Sequence, residues 1–223
     1  MNILDLSGSR KINSSTIWAI VAVGVIGCCV YTLMGTPDEG SADPRSSVRK
    51  VKRAVSGHKI KIKPNEYLMY AGIYAPDVND PMGQEALERN VELLEPRKIR
   101  VRLEEEPKDK KGRLVGYVFV NGEMVNRKLV SEGLAYVRLK RSTHRFAEEL
   151  LAAQNEARAA RRGLWKDPIT STEPEYPGDL KYGLFHRPTC DDVANTRPGN
   201  EITFTDKAAA FDAGFAPCAR CSP

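Results

Sequence analysis

The sequence lacks internal repeats and long low-complexity segments, which excludes a repeat solenoid and a largely disordered chain. Of its 223 residues, 41% are hydrophobic and 28% are charged, an ordinary balance for a folded protein. A chain of this length can form one domain with its own core and a second, smaller one.

Cysteine is scarce, and its five residues fall into two groups. Cys28 and Cys29 lie in an apolar run, whereas Cys190, Cys218 and Cys221 lie in the C-terminal part of the sequence. Three cysteines cannot all pair with one another, so a disulfide framework explains the second group poorly.

Charged side chains are absent from Ile17 to Met34. At 1.5 Å per residue, about 18 residues approach the hydrocarbon thickness of about 30 Å. Trp18 and Tyr31 stand where interfacial aromatic residues are expected. We therefore expect an uncleaved transmembrane anchor over residues 16–34, which would make the protein a single-pass membrane protein.

Other interpretations of this run stay open. A removable signal peptide is one of them, and the stretch from Val25 to Cys28 resembles a bacterial lipoprotein cleavage box that would leave Cys28 lipidated. The flanking charges do not settle the orientation, because Arg10 and Lys11 precede the run and a more distant basic group follows it behind acidic residues. An extracytoplasmic position of the remaining chain is the one we favour.

Basic residues are concentrated in the middle of the chain. Residues 48–166 contain 26 basic and 16 acidic side chains, a net charge of +10, whereas the whole chain carries +5. Such a segment suits a polyanionic partner such as nucleic acid or a membrane surface. It is equally compatible with an ordinary solvated basic surface.

Two stretches of linker composition divide the chain. The predicted segments are a polar tail (1–15), the anchor (16–34), a linker (35–47), a basic domain (48–166), a second linker (167–180) and a C-terminal module (181–223).

The basic domain is predicted to be mainly β with α, an α+β fold. Alternating apolar and polar residues predict five short strands, and Asn121-Gly122 predicts a type I′ hairpin turn. Asp80-Pro81 predicts the start of a helix, and a longer helix is predicted from a cap at Thr143 to Gly163. Five strands with a helix between the third and the fourth predict an OB-type five-stranded barrel.

Several short motifs resemble the staphylococcal-nuclease-like (thermonuclease) domain over residues 50–166. They are "APD", "GQEA", "DKKGRLVGYVFVNGEMVNRKLVSEGLAYV" and "ARRGLW". The resemblance implies cleavage of nucleic-acid phosphodiesters with one calcium ion, two arginines and a glutamate. Calcium needs hard carboxylate oxygens, the arginines neutralise the phosphate charge, and the glutamate activates the attacking water.

The matching positions depart from this family pattern. Arg113 occupies the position of one of the two family arginines. Asp77 occupies the position of the glutamate, and its side chain is one methylene shorter. Met69 occupies the position of the other family arginine. Tyr74 and His58 occupy the positions of two calcium-binding aspartates. A phenol and an imidazole are poor calcium ligands. We therefore expect no calcium and only a residual catalytic pair, Arg113 and Asp77.

The C-terminal module contains a second motif. His186, Cys190, Cys218 and Cys221 offer four borderline-soft ligands in two close pairs, the pattern of a closed tetrahedral zinc site. Residues 181–223 are similar to the small zinc-binding domain of the Ada DNA-repair methyltransferase, with His186 in place of that domain's first cysteine. Four protein ligands leave no position for water, so the expected zinc ion is structural.

Two functions of different classes follow from these observations. The first is a membrane-anchored protein with a degenerate calcium site that binds nucleic acid without sequence preference, or binds a protein partner, and does not cleave with calcium. The second is an active metal-dependent nuclease that uses Arg113 and Asp77. A barrel that serves only for protein docking is a third interpretation. The sequence alone does not decide whether the chain is an enzyme.

Overall fold

The computed structural model describes residues 45–95, 97–141 and 145–223. The predicted polar tail and anchor, residues 1–34, lie outside this range. Within the described residues, no helix is long and apolar enough to cross a membrane.

The basic domain contains strands and helices in an α+β arrangement, which confirms the predicted fold class. Its strands are β1 (Ser46–Lys50), β2 (Arg53–Ser56), β3 (Lys59–Lys63), β4 (Glu66–Tyr70), β5 (Ile73–Tyr74), β6 (Lys98–Lys108), β7 (Leu114–Val120), β8 (Glu123–Met124) and β9 (Tyr136–Val137). The main sheet has the order β1-β6-β7-β4-β3-β2, β8 pairs with β7, and β5 and β9 form a separate pair.

The predicted closure of a barrel is not found among the described residues. The main sheet follows an open path that has β1 at one end and β2 at the other. Strand β6, with 11 residues, is long enough to pair with β1 and β7, and its register with β7 shifts between Leu103 and Lys108. The α+β class therefore holds, whereas the five-stranded barrel was too simple a description.

Three helices cover this sheet, α1 (Pro81–Leu93), α2 (Val125–Ser131) and α3 (Ala147–Ala159). The side chain of Asp80 caps α1, because its Oδ1 accepts a hydrogen bond from the backbone N–H of Met82 at 2.8 Å. The start of α1 was therefore predicted correctly. The predicted cap of α3 at Thr143 lies outside the described residues.

The hairpin between β7 and β8 turns at Asn121 and Gly122, which have φ angles of 51° and 88°. Positive φ at both central residues is what a type I′ turn requires, so this prediction is confirmed.

The C-terminal module is a second small sheet with one helix. Its elements are β10 (Tyr176–Asp179), β11 (Leu184–Phe185), β12 (Glu201–Phe204), α4 (Lys207–Asp212) and β13 (Ala216–Pro217). The sheet has the order β12-β10-β11-β13, with β11 and β13 parallel.

Strand β10 corrects the predicted linker 167–180. Pro177 and Gly178 suggest a flexible connection, yet β10 pairs with β11 on one side and with β12 on the other. Tyr176 is fully buried, and a Cβ on Gly178 would lie 2.8 Å from the ring of Phe204. The absence of a side chain at Gly178 therefore allows Phe204 to pack closely against β10.

The module shares a core with the basic domain. The ring of Phe211 stacks on Tyr136 at 5.6 Å between centroids and meets Trp165 edge-on at 4.9 Å. The buried amide of Gln154 on α3 accepts from the N–H of Val137 at 2.8 Å and donates to the carbonyl of Phe211 at 2.9 Å. Consistent with this packing, the described residues belong to one compact unit.

Candidate functional site

Arg113 lies at the end of the turn that joins β6 and β7. Asp109 shapes this turn, because its Oδ1 accepts hydrogen bonds from the backbone N–H groups of Lys111 and Arg113. Its Oδ2 accepts from Nε of Arg113 at 2.7 Å. Burial raises the pKa of Asp109, but the hydrogen bonds from Arg113 outweigh that effect and lower it. The carboxylate thus holds the guanidinium in place.

A small cavity of about 100 Å³ opens beside this guanidinium. Met69 and Arg113 both line it, so the structure brings together the two positions that the family resemblance assigned to arginines. The register explains this, since β4 and β7 are parallel and Met69 pairs with Val115. Arg138 and Lys140 line the same cavity.

Arg138 is the residue that the sequence interpretation missed. Its guanidinium lies 5.0 Å from the centre of the Tyr74 ring, and its backbone N–H donates to the carbonyl of Gly72 at 2.8 Å. Side chains of an extended chain alternate between two faces. If the stretch from Tyr136 to Lys140 is interpreted as extended, Arg138 and Lys140 lie on the same face. This alternation is the sequence signal that could have identified Arg138.

His58 and Tyr74 are neighbours, with ring centroids 5.3 Å apart. Nδ1 of His58 accepts a hydrogen bond from the backbone N–H of Ala75 at 3.2 Å. Burial, followed by the charges of Arg138, Lys59 and Arg113, lowers the pKa of His58 to about 3. Burial also raises the pKa of Tyr74. At neutral pH this corner therefore holds a neutral imidazole, a phenol and a guanidinium.

Asp77 lies apart from the cavity, in the exposed loop before α1. Its Oδ1 accepts hydrogen bonds from the backbone N–H of Asn79 at 3.0 Å and from the side-chain amide of the same residue at 2.7 Å. A carboxylate that bonds to the backbone two residues later is an Asx turn. Asp77 is not one of the described residues that line the cavity.

The four predicted metal ligands come together in the C-terminal module. One ligand atom from each of His186, Cys190, Cys218 and Cys221 lies within 4.8 Å of all the others. The parallel pair β11 and β13 positions the first and third of them, since His186 follows β11 and Cys218 follows β13. The structure therefore contains a buried His/Cys₃ cluster that could hold a metal ion.

Two details of this cluster fit a bound cation. Nδ1 of His186 is buried and has no hydrogen-bond partner among the described residues, which is costly for a polar atom unless it has another ligand. The backbone N–H of Arg187 donates to Sγ of Cys221 at 3.3 Å. Burial and the neighbouring thiols raise the pKa of Cys221 to about 12, and a cation among the sulfurs would favour the thiolates.

The comparisons with known proteins agree with the geometry of the basic domain. Residues 67–167 match the family described as staphylococcal nuclease homologue. A thermonuclease of Staphylococcus hyicus is 26% identical over 168 residues, which is 71% of this chain and 99% of that protein. Endonuclease YncB of Bacillus subtilis (strain 168) is 27% identical over 158 residues, 66% of this chain and 74% of that protein.

The SPbeta prophage-derived endonuclease YokF of the same organism is 29% identical over 140 residues, 58% of this chain and 47% of that protein. Residues 67–167 are therefore similar to a staphylococcal-nuclease-like domain, as the motifs predicted. The matched family ends at residue 167, so the likeness of residues 181–223 to the Ada module stays a prediction.

Proposed function

We propose that this protein binds nucleic acid through its nuclease-like domain, without sequence preference and without calcium-dependent cleavage. One observation carries the proposal: the guanidinium of Arg138 lies beside Tyr74 and His58, the positions where the family resemblance implies calcium-binding carboxylates.

The donor groups at these positions do not fit calcium. Calcium takes six to eight oxygen ligands, of which carboxylates are the usual charged ones. His58 offers a neutral nitrogen, and Tyr74 keeps its proton because burial raises its pKa. The positive charges of Arg138 and Arg113, which both act on His58, would repel a divalent cation.

Asp77 also supports this proposal. The family resemblance implies that a carboxylate here activates water, but the side chain of Asp77 is engaged by Asn79 in the Asx turn. A general base must reach the proton that it removes, directly or through one water.

The same site remains suited to phosphate. The cavity has a small excess of positive charge, because four cationic and three acidic side chains of the described residues line it: Lys108, Arg113, Arg138, Lys140, Glu104, Glu106 and Asp109. Charge-assisted hydrogen bonds to phosphate are among the stronger polar contacts in proteins. Phosphate contacts release counterions from nucleic acid, so binding should weaken steeply as salt rises.

We also propose that the His/Cys₃ cluster binds zinc. Three thiolates and an imidazole form a donor set that suits zinc, and four protein ligands leave no open position, which is the arrangement of structural sites. The metal would join the turn after β11 to the residues after β13.

The test incubates the full chain with a fluorescent single-stranded oligonucleotide, with calcium or with EDTA, over a series of salt concentrations. We expect equal, salt-sensitive binding under both conditions and no cleavage. Arg138→Ala should weaken binding by about 10- to 150-fold, since a charge-assisted contact contributes about 1.5–3 kcal/mol. Arg97→Ala is the control, because Arg97 is exposed and bonds to the carbonyl of Lys52 outside the cavity.

The alternative is an active metal-dependent nuclease that uses Arg113 and Asp77, and relatives named thermonuclease and endonuclease favour it. Calcium-dependent cleavage that Arg113→Ala abolishes would establish this alternative. If the protein binds no oligonucleotide, the nuclease-like domain would instead be expected to bind a protein partner.

A further inference from the structure

A second, larger cleft of about 560 Å³ lies where the nuclease-like domain meets the C-terminal module. Lys110 and Arg113 line it from the β6–β7 turn, and Lys181 and Tyr182 line it from the module. Arg113, Arg138 and Lys140 line both this cleft and the small cavity, so the two are continuous.

The cleft is strongly basic. Eight of the thirteen described residues that line it are lysine or arginine, and two, Glu106 and Asp109, are acidic. Asp109 already pairs with Arg113, which leaves the lysines on both sides of the cleft to meet an outside ligand. A continuous basic groove of this kind can bind a polyanion along several of its phosphate groups.

Tyr182 places an aromatic ring within this basic surface. Its side chain is 45% exposed, which is high for a large apolar group. Nζ of Lys110 lies 3.3 Å from its hydroxyl oxygen and 5.6 Å from the ring centre, and Nζ of Lys181 lies 5.8 Å from the ring centre. Proteins that bind single strands combine basic grooves with such aromatic rings, on which bases stack.

The backbone around Tyr182 is held firmly. Oδ1 of the buried Asp179 accepts hydrogen bonds from the N–H groups of Lys181 at 2.7 Å and Tyr182 at 3.3 Å. Gly183 follows with a φ of 61°, and a Cβ there would lie 2.4 Å from the carbonyl oxygen of Leu139. Any other side chain at Gly183 would therefore push the turn away from the nuclease-like domain.

The module is also tied to the segment that carries Arg138. The N–H of Arg141 donates to the carbonyl of Leu180 at 3.0 Å, and its guanidinium donates to the carbonyl of Gly199 at 2.8 Å. The ring of Tyr182 thus has a fixed position relative to the cationic cavity. A prearranged surface of this kind binds with less loss of conformational entropy.

We propose that the C-terminal module is the second half of the nucleic-acid site. Tyr182 stacks on a base of a single strand, whose phosphates lie on Lys110, Lys181 and the arginines of the adjoining cavity. This inference rests on the proposed nucleic-acid binding. A duplex is the wrong occupant, because both faces of its bases are already stacked and exposing one costs unstacking energy.

The test compares Tyr182→Ala, Tyr182→Phe and Tyr67→Ala in the full chain. Tyr67 is the matched control, because it is a partly exposed tyrosine with Lys61 5.5 Å from its ring centre, and it does not line the cleft. The probes are oligothymidylate, a duplex of the same length and inorganic polyphosphate, which has charge but no bases. Affinities are measured in EDTA at a fixed salt concentration.

We expect Tyr182→Ala to bind oligothymidylate about tenfold more weakly and polyphosphate as well as the wild type does. Tyr182→Phe keeps the ring and should bind both like the wild type, as should Tyr67→Ala. The duplex should bind the wild type more weakly than the single strand.

Three results would overturn the inference. They are unchanged oligothymidylate binding by Tyr182→Ala, an equal loss of polyphosphate binding by that variant, and a duplex that binds as well as the single strand. Each of these leaves the proposed nucleic-acid binding intact. A wild type that binds neither nucleic acid would instead defeat the proposed function itself.

Discussion

His58 makes the stability of the protein depend on pH in a predictable direction. Its pKa is about 3 in the fold and about 6.5 in an unfolded chain, so acid protonates the unfolded state first. Its neutral form contributes fully above pH 7, and stability falls as the pH decreases from about 6.5 toward 3.

His58→Asn should remove this dependence. The Oδ1 of asparagine can take the place of Nδ1 and accept from the N–H of Ala75, but it does not titrate. We expect the difference in unfolding free energy between wild type and variant to change by about 1.6 kcal/mol from pH 6.5 to pH 5, in favour of the variant. Urea unfolding at several pH values measures it, and parallel curves would contradict the argument.

Among single residues, the sequence pointed to positions within a motif, and Arg138, which lies outside them, was not among its candidates. Arg113 was found because it lies in the family's hairpin, and the structure places it beside Met69 in one cavity. Arg138 lies outside the motifs that carry the resemblance. Its role depends on the pairing of β5 with β9, which brings Tyr136 opposite Tyr74. Residue patterns along a chain do not specify such long-range pairing.

At the scale of elements, α3 depends on one buried amide. Gln154 is fully buried and satisfies the N–H of Val137 and the carbonyl of Phe211. Gln154→Leu should destabilise the fold by about 2–4 kcal/mol, because it leaves two buried backbone groups without partners.

The control for this change is Gln84→Leu on α1. Gln84 is exposed, and its side-chain amide donates a hydrogen bond to Glu88 in the same helix. This substitution should change stability by less than about 0.5 kcal/mol. The denaturant midpoints of the two variants test this prediction. Similar midpoints would show that the hydrogen bonds of the Gln154 amide contribute little to the stability of the fold.

Elements were predictable where local chemistry determines them. Asp80 caps α1 with its own side chain, whereas the Asn121-Gly122 turn depends on its own backbone angles, and both occur as predicted. Strand β10 was assigned to a linker because residues 167–180 have linker composition. Its pairing with β12, more than twenty residues further along the chain, decides its structure. The open path of the main sheet likewise depends on contacts between distant strands.

At the scale of the whole molecule, removing the proposed zinc ion should affect more than the C-terminal module. Cys218→Ser should abolish zinc binding and lower the denaturation midpoint, because metal affinity contributes directly to folding in small modules. Since Phe211 packs on Tyr136, the loss should also loosen the nuclease-like domain. Elemental analysis and limited proteolysis measure both effects, and a zinc content equal to that of the wild type would refute the ligand assignment.

The membrane anchor stays a proposal that one fractionation can test. The run from Ile17 to Met34 is uncharged and long enough to span a bilayer. We expect the full chain to remain in the membrane fraction after alkaline carbonate and to be released by detergent. Release by carbonate, or a mature N-terminus at a lipidated Cys28, would exclude an uncleaved anchor.

The stretch from Arg138 to Arg141 serves both parts of the molecule. Arg138 reaches the cationic cavity, whereas the N–H groups of Leu139 and Arg141 bond to Gly214 and Leu180 in the module. The proposed metal binding and the proposed polyanion binding would therefore draw on one shared backbone. If the metal raises the affinity for a polyanion by some factor, thermodynamic reciprocity requires the polyanion to raise the affinity for the metal by the same factor. Nucleic acid would then slow the loss of metal to a chelator, and metal scarcity would release the nucleic acid.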